Sequence, residues 1–368
     1  MIRISRFEIP EKLRAAAARN LVMFLGAGVS RFAGGCGWDD FAKNYIALLN
    51  NKGMISTEEF SALNSLMEDE TEKKVLSDAK SLITNLSANG HLKSQDVDIL
   101  EKICVKKQGY SKTKQALSIC EFIRNQRGGR LESDDFRNLI IDSDMEQDGE
   151  EFLKSILSFN IPIFTTNYDN LIELVFENNF GNEQEISAEV DKRVSEKEKS
   201  SKKLKVVYRP EELKLTDLEQ GTKLIKIHGC IKEPSKAVIS DADYIHHYRN
   251  ENIKSFMQYL FKSKTVLFMG YGLEEAEILA HLFDLEEHQI FPENRYWLNG
   301  YHKTDEELMK LHRDYFKDVY GISLLPYNLD QNGYFELVHY FNEILQSVSN
   351  VKRSPYPSHI KFLQESFS

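Results

Sequence analysis

Seven short apolar runs divide the chain: LVMFL (21–25), IPIFTT (161–166), LKVVY (204–208), KLIKIH (223–228), TVLFMG (265–270), RYWLN (295–299) and ISLLPY (322–327). Runs this short and this apolar suit strands buried on both faces. Segments with helical spacing separate most of them, among them 169–178, 273–288 and 303–317. Strands alternating with helices predict an α/β fold, a Rossmann-like, doubly wound and mostly parallel sheet covered on both faces. In such sheets ligands sit at the carboxyl ends of the strands.

The alternation breaks after the first run. From about 41 to 159 no convincing strand is evident, and stretches such as 57–69, 71–87 and 111–125 read as helices, with breaks at Asn89-Gly90 and Gly128-Gly129. The expected organisation is a Rossmann core from 1–40 and 150–330, a helical insertion or subdomain over 41–149, and a C-terminal helical tail over 331–368. Residues 181–203 are charged and poor in large apolar side chains, which predicts an exposed loop. Within the tail, FELVHYFNEILQSV has the spacing of an amphipathic helix that packs on a core.

Composition narrows the function classes. The chain of 368 residues can bury a sizeable core. Its four cysteines, Cys36, Cys104, Cys120 and Cys230, are far apart and form no CxxC pair, so neither a zinc ribbon nor a disulfide framework is expected, and a reduced cytoplasmic setting fits. The N-terminus has no apolar signal-peptide core, and no run approaches the roughly 20 residues of a membrane span. With 47 basic against 57 acidic residues the net charge is -10, which opposes a broad phosphate-binding surface and argues against direct nucleic-acid binding.

Polar residues and glycines gather where the apolar runs end. After LVMFL comes GAGVS, in which Gly26 and Gly28 let the backbone approach a pyrophosphate, or form a plain tight turn. The third position of the dinucleotide fingerprint is Arg31 where Gly or Ala is usual, which weakens a hydride-transfer reading. After IPIF come Thr165-Thr166 and Asn167-Tyr168-Asp169, an amide and a carboxylate that serve a ligand or cap the following helix. KLIKIHG ends in His228 and Gly229, a general base with room beside it, or a structural histidine. TVLFM runs into Gly270-Tyr271-Gly272, a second close-approach turn.

Taken in this order, GAGVS, TTNYD, KIHG and MGYGLEEAE resemble the sirtuin superfamily, and most closely the sirtuin-like NADase domains of bacterial anti-phage defence proteins. The resemblance covers about 20–50 and 150–330. It implies that Gly26, Ala27, Gly28 and Ser30 bind nucleotide, that Asn167 and Asp169 line the nicotinamide and ribose pocket, and that His228 is the catalytic histidine. Gly270, Tyr271 and Gly272 match the later nucleotide-contacting turn, with Thr166 and Gly229 beside the same pocket. Two departures are evident: GGCGWDDF, with Trp38, stands where sirtuin deacetylases carry G-I-P-x-F-R, and the four zinc cysteines after the histidine are missing. ISDADYIHHY (239–248), also readable as a helix capped by Ser240, resembles a segment of the defence-type domains.

The implied activity is hydrolysis of NAD+ to nicotinamide and ADP-ribose, with NAD as substrate and no metal. Asn167 would bind the ribose hydroxyls or orient water, His228 would accept a proton, and Asp169 would hold the carboxamide or favour developing positive charge. A sensor that binds NAD or ADP-ribose, and an NAD-dependent deacylase, are the alternatives. The resemblance further implies a homo-oligomer, a HerA-type ATPase partner and a role in defence by NAD depletion.

Overall fold

The computed structural model describes residues 9–16, 20–68, 113–141, 145, 147–181, 204–219, 221–273, 275–283 and 294–353. Each apolar run forms a strand: β1 (Leu21–Leu25), β2 (Ile163–Thr165), β3 (Lys205–Val207), β4 (Lys223–Lys226), β5 (Thr265–Met269), β6 (Arg295–Tyr301) and β7 (Ile322–Asn328). They form one sheet in the order β3-β4-β2-β1-β5-β6-β7, with every neighbouring pair parallel. From β1 the chain lays β2 beside it, places β3 at the far edge and β4 between β3 and β2, then crosses back to place β5 on the other side of β1. The sheet therefore changes direction at β1, and a doubly wound sheet opens its ligand crevice at such a point.

In chain order the helices are α1 (Glu11–Ala16), α2 (Ala27–Arg31), α3 (Trp38–Asn51), α4 (Thr57–Glu68), α5 (113–126), α6 (Ser133–Ile140), α7 (Gln147–Ser158), α8 (Leu171–Phe180), α9 (Asp241–Arg249), α10 (Glu251–Ser263), α11 (Ala276–Phe283), α12 (Glu306–Tyr320) and α13 (Glu336–Arg353). Side chains alternate across the sheet. Leu21, Met23 and Leu25 of β1 join a core with Phe152 of α7, Val175 of α8 and Phe341 of α13. Val22 and Phe24 face the opposite core, with Tyr244 of α9, Met257 of α10, Leu282 of α11 and Phe316 of α12. A strand buried on both faces cannot alternate with polar residues, which is why these runs are continuously apolar. Phe24 sits at the centre of its layer, its ring 4.8 Å from those of Phe164, Phe268 and Tyr271.

A third core holds α3 to α6, which lie between β1 and β2 in the chain. Phe41, Tyr45 and Leu49 of α3 pack with Leu117 and Cys120 of α5 and with Phe136 and Leu139 of α6. The same cluster takes in Tyr168, Cys230, Ile231 and Ile239, which belong to the loops after β2 and β4. These helices thus lie against the carboxyl edge of the sheet. Among the described residues of this stretch no strand forms, and the only bridge there joins Gly35 to Ile141. The helix read over 71–87, the break at Asn89-Gly90 and the loop expected over 181–203, apart from Gly181, lie outside the described residues.

Candidate active site

The register levels the ends of four strands: Leu25 pairs with Thr165 and Met269, and Thr165 pairs with Lys226. The residues that follow, Gly26, Asn167, His228 and Gly270, therefore emerge along one edge. A cavity of about 210 Å3 opens there. It is lined by Ala27, Ser30, Thr166, Asn167, Asp169, His228, Gly270, Tyr271 and Gly272. Gly26, Gly28 and Gly229 stand outside its wall.

The glycines serve chiefly to bring two turns together. The Gly28 N–H donates to the Gly270 carbonyl at 2.8 Å, and that of Gly26 donates to the Met269 carbonyl at 3.0 Å. A Cβ on Gly28 would lie 2.8 Å from the Gly270 Cα, and one on Gly270 would lie 2.5 Å from the Val29 nitrogen. Gly270 also has φ +59, in the region that disfavours side chains. The amide of Gly28 is thus committed to the neighbouring turn, and the close approach formed by these glycines is between two backbones.

Asn167 and Asp169 are joined through Ser30. The Asn167 Nδ2 donates to the Gly26 carbonyl at 3.0 Å and to the Ser30 Oγ at 2.8 Å. Ser30 in turn donates to the Asp169 Oδ2 at 2.6 Å, and the Asp169 Oδ1 accepts the Leu171 N–H at 3.1 Å. A carbonyl oxygen only accepts, so the amide nitrogen must be the atom facing Gly26. Asn167 lines the cavity, and its Oδ1 is the acceptor end of an amide anchored through its nitrogen. Asp169 thus accepts the first N–H of α8 and is tied to Asn167 through Ser30. Beneath it the fully buried Lys226 donates to the Asp169 carbonyl and pairs with Glu173 at 2.6 Å.

His228 is 2 % exposed. Its Nε2 lies 2.8 Å from the Tyr248 hydroxyl and 3.5 Å from the Glu275 Oε2. Burial pushes its pKa well below the ordinary imidazole value, and His247 and the Lys114 ammonium push in the same direction, so the ring is neutral at pH 7. Neutral imidazole is the form a general base requires. Tyr248, together with Tyr244, whose ring centroid is 5.0 Å from that of His228, comes from α9. Ser240 caps this helix by accepting the Asp243 N–H, as read from the sequence.

Sequence reading missed the opposite wall. Trp38, Phe41 and Tyr168 face the cavity as a stack, with Trp38 5.4 Å from Phe41 and 6.5 Å from Tyr168. Glu275 and Tyr244 also line it. Glu275 lies within the MGYGLEEAE segment, but a carboxylate opening a helix reads equally as a favourable helix-end charge. Among the described residues no group of three or more His, Cys, Asp or Glu is placed to hold a metal ion, and no helix is long and apolar enough to cross a membrane.

Residues 162–321 match the family model of the SIR2-like domain. The matched segment runs from the start of β2 to the turn before β7 and contains Asn167, Asp169, His228 and the Gly270 turn. Over this SIR2-like segment the chain is similar to sirtuin-like proteins, and the similarity supports an NAD-related function. The GAGVS loop and the aromatic residues Trp38 and Phe41 lie outside the match yet close the same cavity. The cavity is smaller than the roughly 300–1,000 Å3 that enclose a whole drug-sized ligand.

Proposed function

We propose that the protein hydrolyses the N-glycosidic bond of NAD+, releasing nicotinamide and ADP-ribose. The observation that carries this reading is the pairing, in one cavity, of a neutral buried imidazole with an amide held in place through its nitrogen by the Gly26 carbonyl and Ser30. In the reaction water forms a bond to the anomeric carbon as the carbon–nitrogen bond breaks. The bonding pair goes to nicotinamide and neutralises its ring, so the leaving group needs no acid. Asn167 Oδ1 orients the water or a ribose hydroxyl, and His228 takes the proton released by the water. Asp169, engaged by Ser30 and Leu171, holds Asn167 through Ser30 and adds negative potential near the developing oxocarbenium charge.

The test is nicotinamide release from NAD+ followed by chromatography. Asn167→Ala and His228→Ala should each lower the rate by about 100-fold or more. Undiminished release in both variants would refute the assignment. Tight binding without turnover would favour the sensor reading, and release that requires an acetylated peptide would favour a deacylase. The proposed defence role, homo-oligomer and HerA-type ATPase partner rest on the resemblance of the motif set. Mass measurement of the protein alone and mixed with such an ATPase tests the last two; a monomer that ignores the ATPase would remove them.

A further inference from the structure

We infer that Glu275 is the counter-charge of His228, a positioning residue that lets a buried imidazole accept a proton, with Tyr248 holding the ring in place. This rests on the hydrolase reading and deepens it. The contradiction it resolves is local: a base must become a cation during the reaction, and His228 is buried where a cation is disfavoured. The groups facing it are Tyr244, His247 and Tyr248 from α9, Lys114 from α5 and Glu275 from the turn before α11. His281 of α11 stands behind Tyr248, their rings 5.6 Å apart. Of these groups Lys114 is cationic, and Glu275 is the carboxylate.

The Glu275 Oε2 lies 3.5 Å from the His228 Nε2, and both residues line the cavity. An imidazolium spreads its charge over both ring nitrogens, so Glu275 stabilises it whichever nitrogen receives the proton. The Tyr248 hydroxyl, 2.8 Å from Nε2, fixes the ring plane relative to that carboxylate. The Lys114 ammonium, which opposes protonation of the imidazole, is engaged by Asp241 at 3.5 Å and by the face of Tyr244, whose centroid it approaches at 4.1 Å. The remaining neighbours are aromatic rings, which cannot supply a full negative charge at neutral pH.

The test compares wild type, Glu275→Gln and Glu275→Asp by the pH profiles of kcat and kcat/KM for nicotinamide release. An opposite charge this close shifts a titration by about 1–3 pH units, and its removal makes the imidazole harder to protonate. Glu275→Gln should therefore move the acidic limb to lower pH by that amount and reduce kcat by roughly 10- to 100-fold, with KM within about twofold. Glu275→Asp, which keeps the charge, should return both toward wild type. An unmoved limb, or equal losses in the two variants, would overturn the inference. So would loss of the melting transition together with activity, which would make Glu275 a purely structural residue. The hydrolase reading fails separately, by full activity in Asn167→Ala and His228→Ala.

Discussion

Ser30 shows how one hydroxyl joins two side chains of the candidate site. It accepts from Asn167 and donates to Asp169, so removing it loosens the amide and leaves a buried carboxylate oxygen without its donor. A hydrogen bond to a charged group contributes about 1.5–3 kcal/mol, and a loss of that size is roughly 10- to 100-fold in rate. Ser30→Ala should lower kcat for nicotinamide release by that factor while the protein stays folded; an unchanged kcat would show that Asn167 is oriented without it. The histidines set a second expectation at this scale. Burial first, then His281, lowers the His247 pKa to about 4. The unfolded chain therefore binds a proton near pH 6.5 that the folded chain refuses. The stability contribution is complete above that pH and lost as pH falls toward 4, on the order of 2 kcal/mol at pH 5 from His247 alone. His228 adds in the same direction. The urea midpoint should fall between pH 7 and 5, and His247→Phe should flatten the fall.

At the scale of elements, two turns at the sheet edge depend on each other. Gly270 meets the α2 turn with no room for a Cβ, whereas Gly53, with φ +65, has nothing within 4 Å of a built Cβ. Gly53→Ala should thus carry only left-handed strain, about 1–3 kcal/mol. Gly270→Ala should cost more, because it also pushes β1 and β5 apart, and it should reduce nicotinamide release, which Gly53→Ala should not. Thermal melting and activity of the pair check this. Both glycine motifs were legible in the sequence as strand-end turns. Their contact was not, since Gly28 and Gly270 stand far apart along the chain and only the parallel pairing of β1 with β5 brings their turns together. Asn167 was legible as an amide at a strand end, but the direction it faces depends on the Gly26 carbonyl, which a linear pattern does not display.

Across the whole molecule, helices α3 to α6 share a core with Tyr168 of the candidate site. Phe136 packs 5.6 Å from Tyr168 and 5.9 Å from Phe41, and Tyr168 lies between Asn167 and Asp169 in the chain. Phe341 is equally buried, in the core on one face of the sheet. Truncating either to Ala should cost about 3–5 kcal/mol. Phe136→Ala should also lower kcat of the folded protein, while Phe341→Ala should leave it near wild type; equal kcat values would mean that the third core does not shape the cavity. The seven strands, a mostly parallel sheet and the strand-end edge that carries the candidate site were legible in the linear pattern of residues, because a short run that is apolar on both faces has few ways to be buried. Folding was needed to bring Glu275 to His228, to set Ser30 between Asn167 and Asp169, and to assemble Trp38, Phe41 and Tyr168 into the facing wall. These contacts join side chains from different elements, and their geometry follows from strand register and helix docking rather than from local spacing.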